Sequence, residues 1–312
     1  MASYRRIHIE ISNICNLQCS FCPEVERDKK TMSPEDFAAI AEQLPGTVDE
    51  ICLHLMGEPL LHPQLATILE ICETFALPVN LTSNAILLHG ARRALLLKPI
   101  IRQVNFSIHA FEANFGSEGV GPYFEKILRF IMEAEQLRPD LYINLRLWDL
   151  ADPAAESAAN RELRERLEAA FEKPIRSEDI DLRRKKNLQL RGRIYVHFDS
   201  RFVWPSLEQP LRSQTGFCHG LGNHFGIHAD GTVVPCCLDK EAALALGNVF
   251  EEKLESILKG PRAEAMRSGF ARGELVEDLC QRCDFVRRFD RKARRLAQGY
   301  RDTVSKAPRP EL

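Results

Sequence analysis

Short runs of period-two apolar character alternate with amphipathic stretches through the first half of the chain, and that order leaves few folds open. Residues 7–11 (IHIEI) read as a strand, and Ser33-Pro34-Glu35-Asp36 reads as an N-cap, a first-position proline and an acidic first turn, predicting a helix to about Leu44. Residues 50–55, 79–82, 103–108 and 142–147 read as further strands. Helices are expected near 64–75, 91–97, 124–137 and 155–171. Repeated β-then-α at this spacing predicts right-handed crossovers and a parallel sheet, open or barrel-like, with function on the loops at the C-terminal strand ends.

After about residue 175 the pattern changes. Residues 183–193 are basic (RRKKNLQLRGR), 193–198 resemble another strand, and 206–215, with Pro205 before them and Pro210 among them, resemble a linker. Residues 225–235 carry a hairpin signal through Asp230-Gly231, and a helix is expected near 251–259. The expected division is 1–205, 206–290 and a basic tail, 291–312. The formal net charge is −2, so composition gives no global pull toward nucleic acid or membrane. No apolar run approaches the roughly 18–20 residues of a membrane span, and residues 1–6 lack a signal-peptide pattern, so a cytoplasmic protein is expected.

Ten cysteines fall into two groups and two stragglers. Cys15, Cys19 and Cys22 form C-x3-C-x2-C on a loop after the first strand. Cys218, one of Cys236 and Cys237, Cys280 and Cys283 form a second set. Cys52 and Cys72 lie in apolar runs and read as small buried hydrophobes. Three thiolates are one short of a closed zinc site and suit a [4Fe–4S] cluster with one open iron, although a zinc loop borrowing a distant ligand has the same donors. The four-thiol set fits either a second cluster or structural zinc.

The C-x3-C-x2-C spacing, with Phe21 before Cys22, resembles the radical S-adenosylmethionine (radical SAM) superfamily. Met56-Gly57-Glu58-Pro59 is similar to its GGEP motif, with Met56 in place of the first glycine. Thr82-Ser83-Asn84 is similar to its turn after the third strand. Ser107 and His109 stand where relatives carry Ser-x-Asp-Gly, with His109 replacing Asp and Ala110 replacing Gly. Relatives often carry an arginine about a dozen residues later; Arg146 is the substitute here. The resemblance implies that Phe21, Gly57, Glu58, Ser83, Asn84, Ser107, His109 and Arg146 contact SAM, and that Cys15, Cys19 and Cys22 hold the SAM-binding [4Fe–4S] cluster. The second group resembles the SPASM/Twitch auxiliary-cluster domain. No cysteine follows Cys283, so the resemblance is to the single-cluster form found in 2-deoxy-scyllo-inosamine dehydrogenase-like members. It implies Cys218, Cys236 (favoured over Cys237 by its distance from Gly231), Cys280 and Cys283 as ligands of one auxiliary [4Fe–4S] cluster.

The implied fold is α/β: a partial (β/α)6 TIM-like barrel with a small C-terminal hairpin-plus-helix domain. The implied activity is reductive cleavage of SAM to a 5′-deoxyadenosyl radical and hydrogen abstraction from a small polar molecule, a two-electron oxidation with the auxiliary cluster as acceptor. A flavodoxin- or ferredoxin-type donor would supply electrons. Peptide maturation and a radical lyase acting on a modified nucleobase or nucleoside are the enzymatic alternatives; a zinc-bearing module using the basic stretches to bind RNA is the non-enzymatic one. His197, Asp199 and Tyr195, with His54 and His109, are candidate bases. Trp148 and Trp204 read as barrel-rim packing, with substrate stacking as the alternative.

Overall fold

The structure is a computed structural model and describes residues 4–44, 46, 48–116, 118–147, 158–176, 186–200 and 202–289. Six parallel strands alternate with helices as the pattern requires. In chain order the elements are β1 (Tyr4–Ile9), α1 (Pro34–Ala41), β2 (Val48–Cys52), α2 (Leu65–Thr74), β3 (Val79–Ser83), α3 (Gly90–Leu95), β4 (Ile101–Phe106), α4 (His109–Phe115), α5 (Val120–Leu137), β5 (Tyr142–Leu147), α6 (Ala158–Phe171), β6 (Asn187–Arg191) and β7 (Ile194–Phe198). The Ser33 hydroxyl accepts from the Asp36 amide at 3.0 Å and caps α1 as the sequence predicts.

Then come β8 (His224–Ile227), β9 (Thr232–Val234), β10 (Gly247–Asn248), α7 (Leu254–Leu258), α8 (Pro261–Arg272) and α9 (Asp278–Arg282). All ten strands join one sheet in the order β10-β9-β8-β1-β2-β3-β4-β5-β7-β6. Strands β1, β2, β3, β4, β5 and β7 are mutually parallel, the six-stranded partial barrel expected. The C-terminal hairpin continues that sheet: β8 pairs in parallel with β1, Arg6 against His224 and Ile9 against Ile227.

One face of each strand packs on the helices. Ile7, Ile9, Ile51, Leu81, Val104, Phe106, Leu145 and Val196 are fully buried there. Helix α5 contributes Phe124, Ile127, Phe130, Ile131 and Ala134 at helical spacing, with the Phe130 and Phe106 rings edge-to-face at 5.5 Å.

Several expectations need correcting. The basic stretch 183–193, over its described part from Lys186, contains β6, paired antiparallel with β7. Its cations are used internally: Lys186 pairs with Asp199 at 2.9 Å, Arg191 with Glu135 at 2.6 Å, and Arg193 sits over the Tyr142 ring at 4.7 Å. Strand β4 starts and ends two residues before the expected run, because the chain turns at Ser107 and His109 already opens α4. Helices α8 and α9 were not anticipated. Trp148, residues 183–185 and the chain from 290 onward, the whole basic tail, lie outside the described residues. Among the described residues no helix is long and apolar enough to cross a membrane.

Candidate functional site

The loops after β1, β2, β3 and β4 meet at the C-terminal edge of the sheet. The cysteine loop is pinned at its root: Asn13, 2% exposed, donates to the Asp28 carbonyl at 2.8 Å and accepts from the Lys30 amide at 2.9 Å. The loop after β2 lies directly against it. The Glu58 amide donates to the Ile14 carbonyl at 2.9 Å. Gly57 has φ +78°, and a Cβ there would stand 2.2 Å from the Ser12 carbonyl oxygen. The glycine is therefore needed for the approach of the cysteine loop itself.

Glu58 is 2% exposed and works inside the protein: its two carboxylate oxygens accept the Leu60 amide at 3.0 Å and the Asn84 amide at 2.8 Å. Burial pushes its carboxyl up, against those amides. Asn84 in turn donates to the Asn16 side chain at 2.9 Å and lies 3.8 Å from the Cys15 sulfur. Ser83 accepts the Ala85 amide at 3.0 Å, and Ser107 donates its amide to the Ser83 carbonyl at 2.9 Å. The His109 ring lies against Phe21 at 4.8 Å, with Nδ1 2.8 Å from the Arg146 carbonyl. The eight residues expected around SAM thus gather at this edge or just below it, and all line one cavity.

Two residues that build this edge were missed by the sequence reading. Asn114 on α4 donates to the Cys19 sulfur at 3.1 Å and accepts the Gln18 amide at 2.9 Å, fastening the loop to the barrel. Glu10, fully buried, receives the Arg27 guanidinium at 2.9 and 3.0 Å, the Met56 amide at 3.2 Å and the Ala229 amide at 3.3 Å. One carboxylate thus ties the cysteine loop, the Gly57–Glu58 loop and the C-terminal hairpin. Glu10 falls at the polar phase of the first strand's alternation, which was the available signal.

The thiols fit their implied clusters. Cys19 is drawn down to about 7 by hydrogen bonds from the Cys22 thiol and from Asn114, against its burial. In the second group burial pushes every thiol up, and neighbouring thiols add to it: Cys218 beside Cys283, Cys236 beside Cys218 and Cys280, Cys280 beside Cys218 and Cys283. Four mutually repelling sulfurs suit a cationic iron–sulfur core, which such a set is built to neutralise. Cys237 has Arg6 and Arg146 as neighbours as well as Cys218. Among the described residues, no group of three or more His, Cys, Asp or Glu gathers around a single ion-sized point.

Residues 9–145 match the radical SAM superfamily, and residues 218–284 match an iron–sulfur cluster-binding domain, SPASM. The chain is a radical SAM enzyme with a SPASM domain. Its cofactors are SAM, a SAM-binding [4Fe–4S] cluster and an auxiliary iron–sulfur cluster. No curated protein matches the chain in sequence. Solved structures share its fold at low identity. BtrN in complex with AdoMet and 2-DOIA is 17% identical with TM-score 0.55, over 91% of this chain and 94% of that one. Streptococcus suis SuiB bound to precursor peptide SuiA is 16% identical with TM-score 0.56, over 91% and 72%. Native anSMEcpe with bound AdoMet is 13% identical with TM-score 0.55, over 96% and 99%.

Both thiol groups of this radical SAM chain open onto the same cavity, of about 1330 Å³. Its wall inside the barrel is polar. An amide ladder crosses the inner face of the sheet behind it: Asn80 donates to Glu50 at 3.2 Å, Asn105 to Asn80 at 2.6 Å, and Asn144 to Asn105 at 3.0 Å. A packed barrel would carry branched apolar layers here. Beside the second thiol group the wall is aromatic, with Phe202 and Trp204 at 5.5 Å and Phe202 and Phe285 at 5.2 Å, so Trp204 faces the cavity. Of the candidate bases, His54 and His109 line the cavity; His197, Asp199 and Tyr195 do not. Asp199 is held by Lys186 at 2.9 Å and Arg288 at 2.7 Å, and Tyr195 stacks against Tyr142 at 6.4 Å.

Proposed function

We propose that this chain oxidises a small polar molecule by two electrons, with the substrate held in the barrel between the two thiol groups. The observation that carries the reading is the single cavity onto which both groups open. When bound, SAM at the Cys15–Cys19–Cys22 cluster supplies the 5′-deoxyadenosyl radical that removes a hydrogen atom. The substrate would lose that hydrogen atom from carbon, a proton from an adjacent hydroxyl, and one electron. The electron would be accepted at the site formed by Cys218, Cys236, Cys280 and Cys283, and a flavodoxin- or ferredoxin-type donor would supply reducing power. Asn84, just past β3, and Asn114 on α4 hold Cys15 and Cys19 in place, and the Phe21–His109 contact closes one side of the SAM pocket. The polar wall orients hydroxyl groups, while Phe202, Trp204 and Phe285 keep water from the second site. The unpaired state of all ten cysteines agrees with a reducing cytoplasm.

The test is anaerobic turnover of the reconstituted enzyme with SAM and dithionite on a library of polar metabolites. The reading expects a product two hydrogens lighter, one 5′-deoxyadenosine per product, and loss of the product but not of 5′-deoxyadenosine in Cys280→Ala/Cys283→Ala. A product of unchanged oxidation level would place the chain among radical lyases, and modification of a peptide alone would place it among maturases.

A further inference from the structure

The charge of the barrel lumen selects among polar molecules. Below the cysteine loop, the cations lining the lumen are Arg6, Arg102 and Arg146, and the carboxylate among them is Glu50. Glu50 is shared: Arg6 bonds it through both Nε and Nη2, and Arg102 reaches it at 3.2 Å. At the lower rim Asp49 is offset by Arg5 at 3.5 Å. At the top, both oxygens of Glu58 are turned to backbone amides. Below Glu58, two guanidinium charges thus remain in excess in the lumen, with Arg6 and Arg102 about half-exposed and Arg146 part-buried.

Arg146 stands near the C-terminal end of β5 and lines this lumen. Its Nη1 donates to the Thr82 hydroxyl at 3.3 Å, and its ionic surroundings include Arg6 and the thiols of Cys52 and Cys237. Burial lowers it to about 10, which still leaves it protonated at neutral pH. The imidazoles nearby add no charge of either sign. Burial, reinforced by neighbouring histidines and arginines, holds His8 low, His54 at about 3 and His224 at about 4. Neutral imidazoles and the Asn80 and Gln103 amides donate and accept alike, as hydroxyl groups require. Arg146, part-buried, and Arg6, about half-exposed, are like charges facing one lumen, a pair that an anion relieves and a cation aggravates.

Building on the reading that the lumen holds the substrate, we propose that this substrate carries an anionic oxyacid group, carboxylate or phosphate, on an otherwise neutral hydroxylated body, with Arg146 and Arg6 holding the anion. The test uses four probes on one carbon skeleton: D-gluconate, D-glucitol 6-phosphate, neutral D-glucitol and cationic D-glucamine. Each is titrated calorimetrically into the anaerobic, cluster-loaded enzyme, with and without SAM, and no turnover is needed. At least one of the two anions is expected to bind about tenfold or more tightly than glucitol, with glucamine weakest, a gap that one opposite charge at close range supplies. Which anion wins distinguishes carboxylate from phosphate. Arg146→Gln should shrink the anion-to-glucitol ratio below about threefold while leaving glucitol binding unchanged. Should that variant fail to fold, the wild-type ranking and Arg6→Gln, which should narrow the ratio in part, decide the matter. Glucamine binding as well as the anions, no separation among the probes, or an Arg146→Gln variant that weakens SAM alone would overturn the proposal. Formation of 5′-deoxyadenosine by the wild-type enzyme reads the radical chemistry separately.

Discussion

Replacing Glu10 by Gln keeps the side chain's shape, but removes the charge that faces Arg27 and leaves one oxygen where the Met56 and Ala229 amides use two. Both partners are shielded: Glu10 side-chain exposure is 0% and that of Arg27 is 14%. Breaking such a pair from one side strands a buried cation, at a cost of about 3–5 kcal/mol. For a chain of 312 residues the unfolding entropy converts this to a drop in Tm of about 5–8 °C. Calorimetry on the reconstituted protein measures it. The Arg27→Met variant should show a loss of the same order, and the Glu10→Gln/Arg27→Met double variant should lose less than the two singles together by at least about 1 kcal/mol. Because Arg27 also donates to the Lys240 carbonyl at 2.6 Å, its removal loosens the cysteine loop from the C-terminal region too. Single variants within about 1 °C of wild type, or strictly additive losses, would refute Glu10 as the tie between the two parts.

Gly57→Ala forces a Cβ to within 2.2 Å of the Ser12 carbonyl at a φ of +78°, and should release iron from the first site while sparing the auxiliary one. Iron analysis after reconstitution checks this, and full iron occupancy would contradict it. Cys237→Ser should retain about eight irons and Cys236→Ser should fall toward four, because Cys236 has both Cys218 and Cys280 beside it, whereas Cys237 shares only Cys218 and is drawn to Arg6 and Arg146. The lumen histidines predict acid lability. His54 is held at about 3 when folded and returns to its ordinary value near 6.5 when unfolded, so the unfolded chain takes up the proton first. Its contribution is complete above pH 6.5 and is lost as pH falls toward 3, about 2 kcal/mol being gone by pH 5. Thermal melts from pH 7 to 5 should therefore fall more steeply in wild type than in His54→Gln, and parallel slopes would count against the assignment.

The strand–helix order was legible because each parallel strand keeps one apolar face for the helices, as in Val104 and Phe106 on β4. The same alternation concealed the lumen. Asn80, Asn105 and Asn144 fall at the polar phase, which reads as solvent-facing, yet they point into the barrel and bond one another across strands. Cysteine spacing found the two thiol groups. Choosing between Cys236 and Cys237 needed the direction in which consecutive side chains of the segment after β9 leave the backbone. Glu58 was legible as an important carboxylate, but its partners, the Leu60 and Asn84 amides, lie on turns that spacing does not position. Asn114 and Arg27 were illegible, since each acts on an element remote in sequence: Asn114 on Cys19 and Gln18, Arg27 on Glu10 and Lys240. The candidate bases divide by side-chain direction, which spacing does not give: His54 and His109 line the cavity, His197 stands on β7 in register with Arg146, and Asp199, just past β7, is bound by Lys186 and Arg288.

That two clusters serve one cavity is tested by pairing iron and sulfide counts with SAM cleavage under dithionite. About eight irons per chain are expected, about four after Cys15→Ala/Cys19→Ala/Cys22→Ala or after Cys280→Ala/Cys283→Ala, and 5′-deoxyadenosine lost only in the first of these. Four irons with a zinc at the second site, or 5′-deoxyadenosine that survives removal of the first three cysteines, would contradict it.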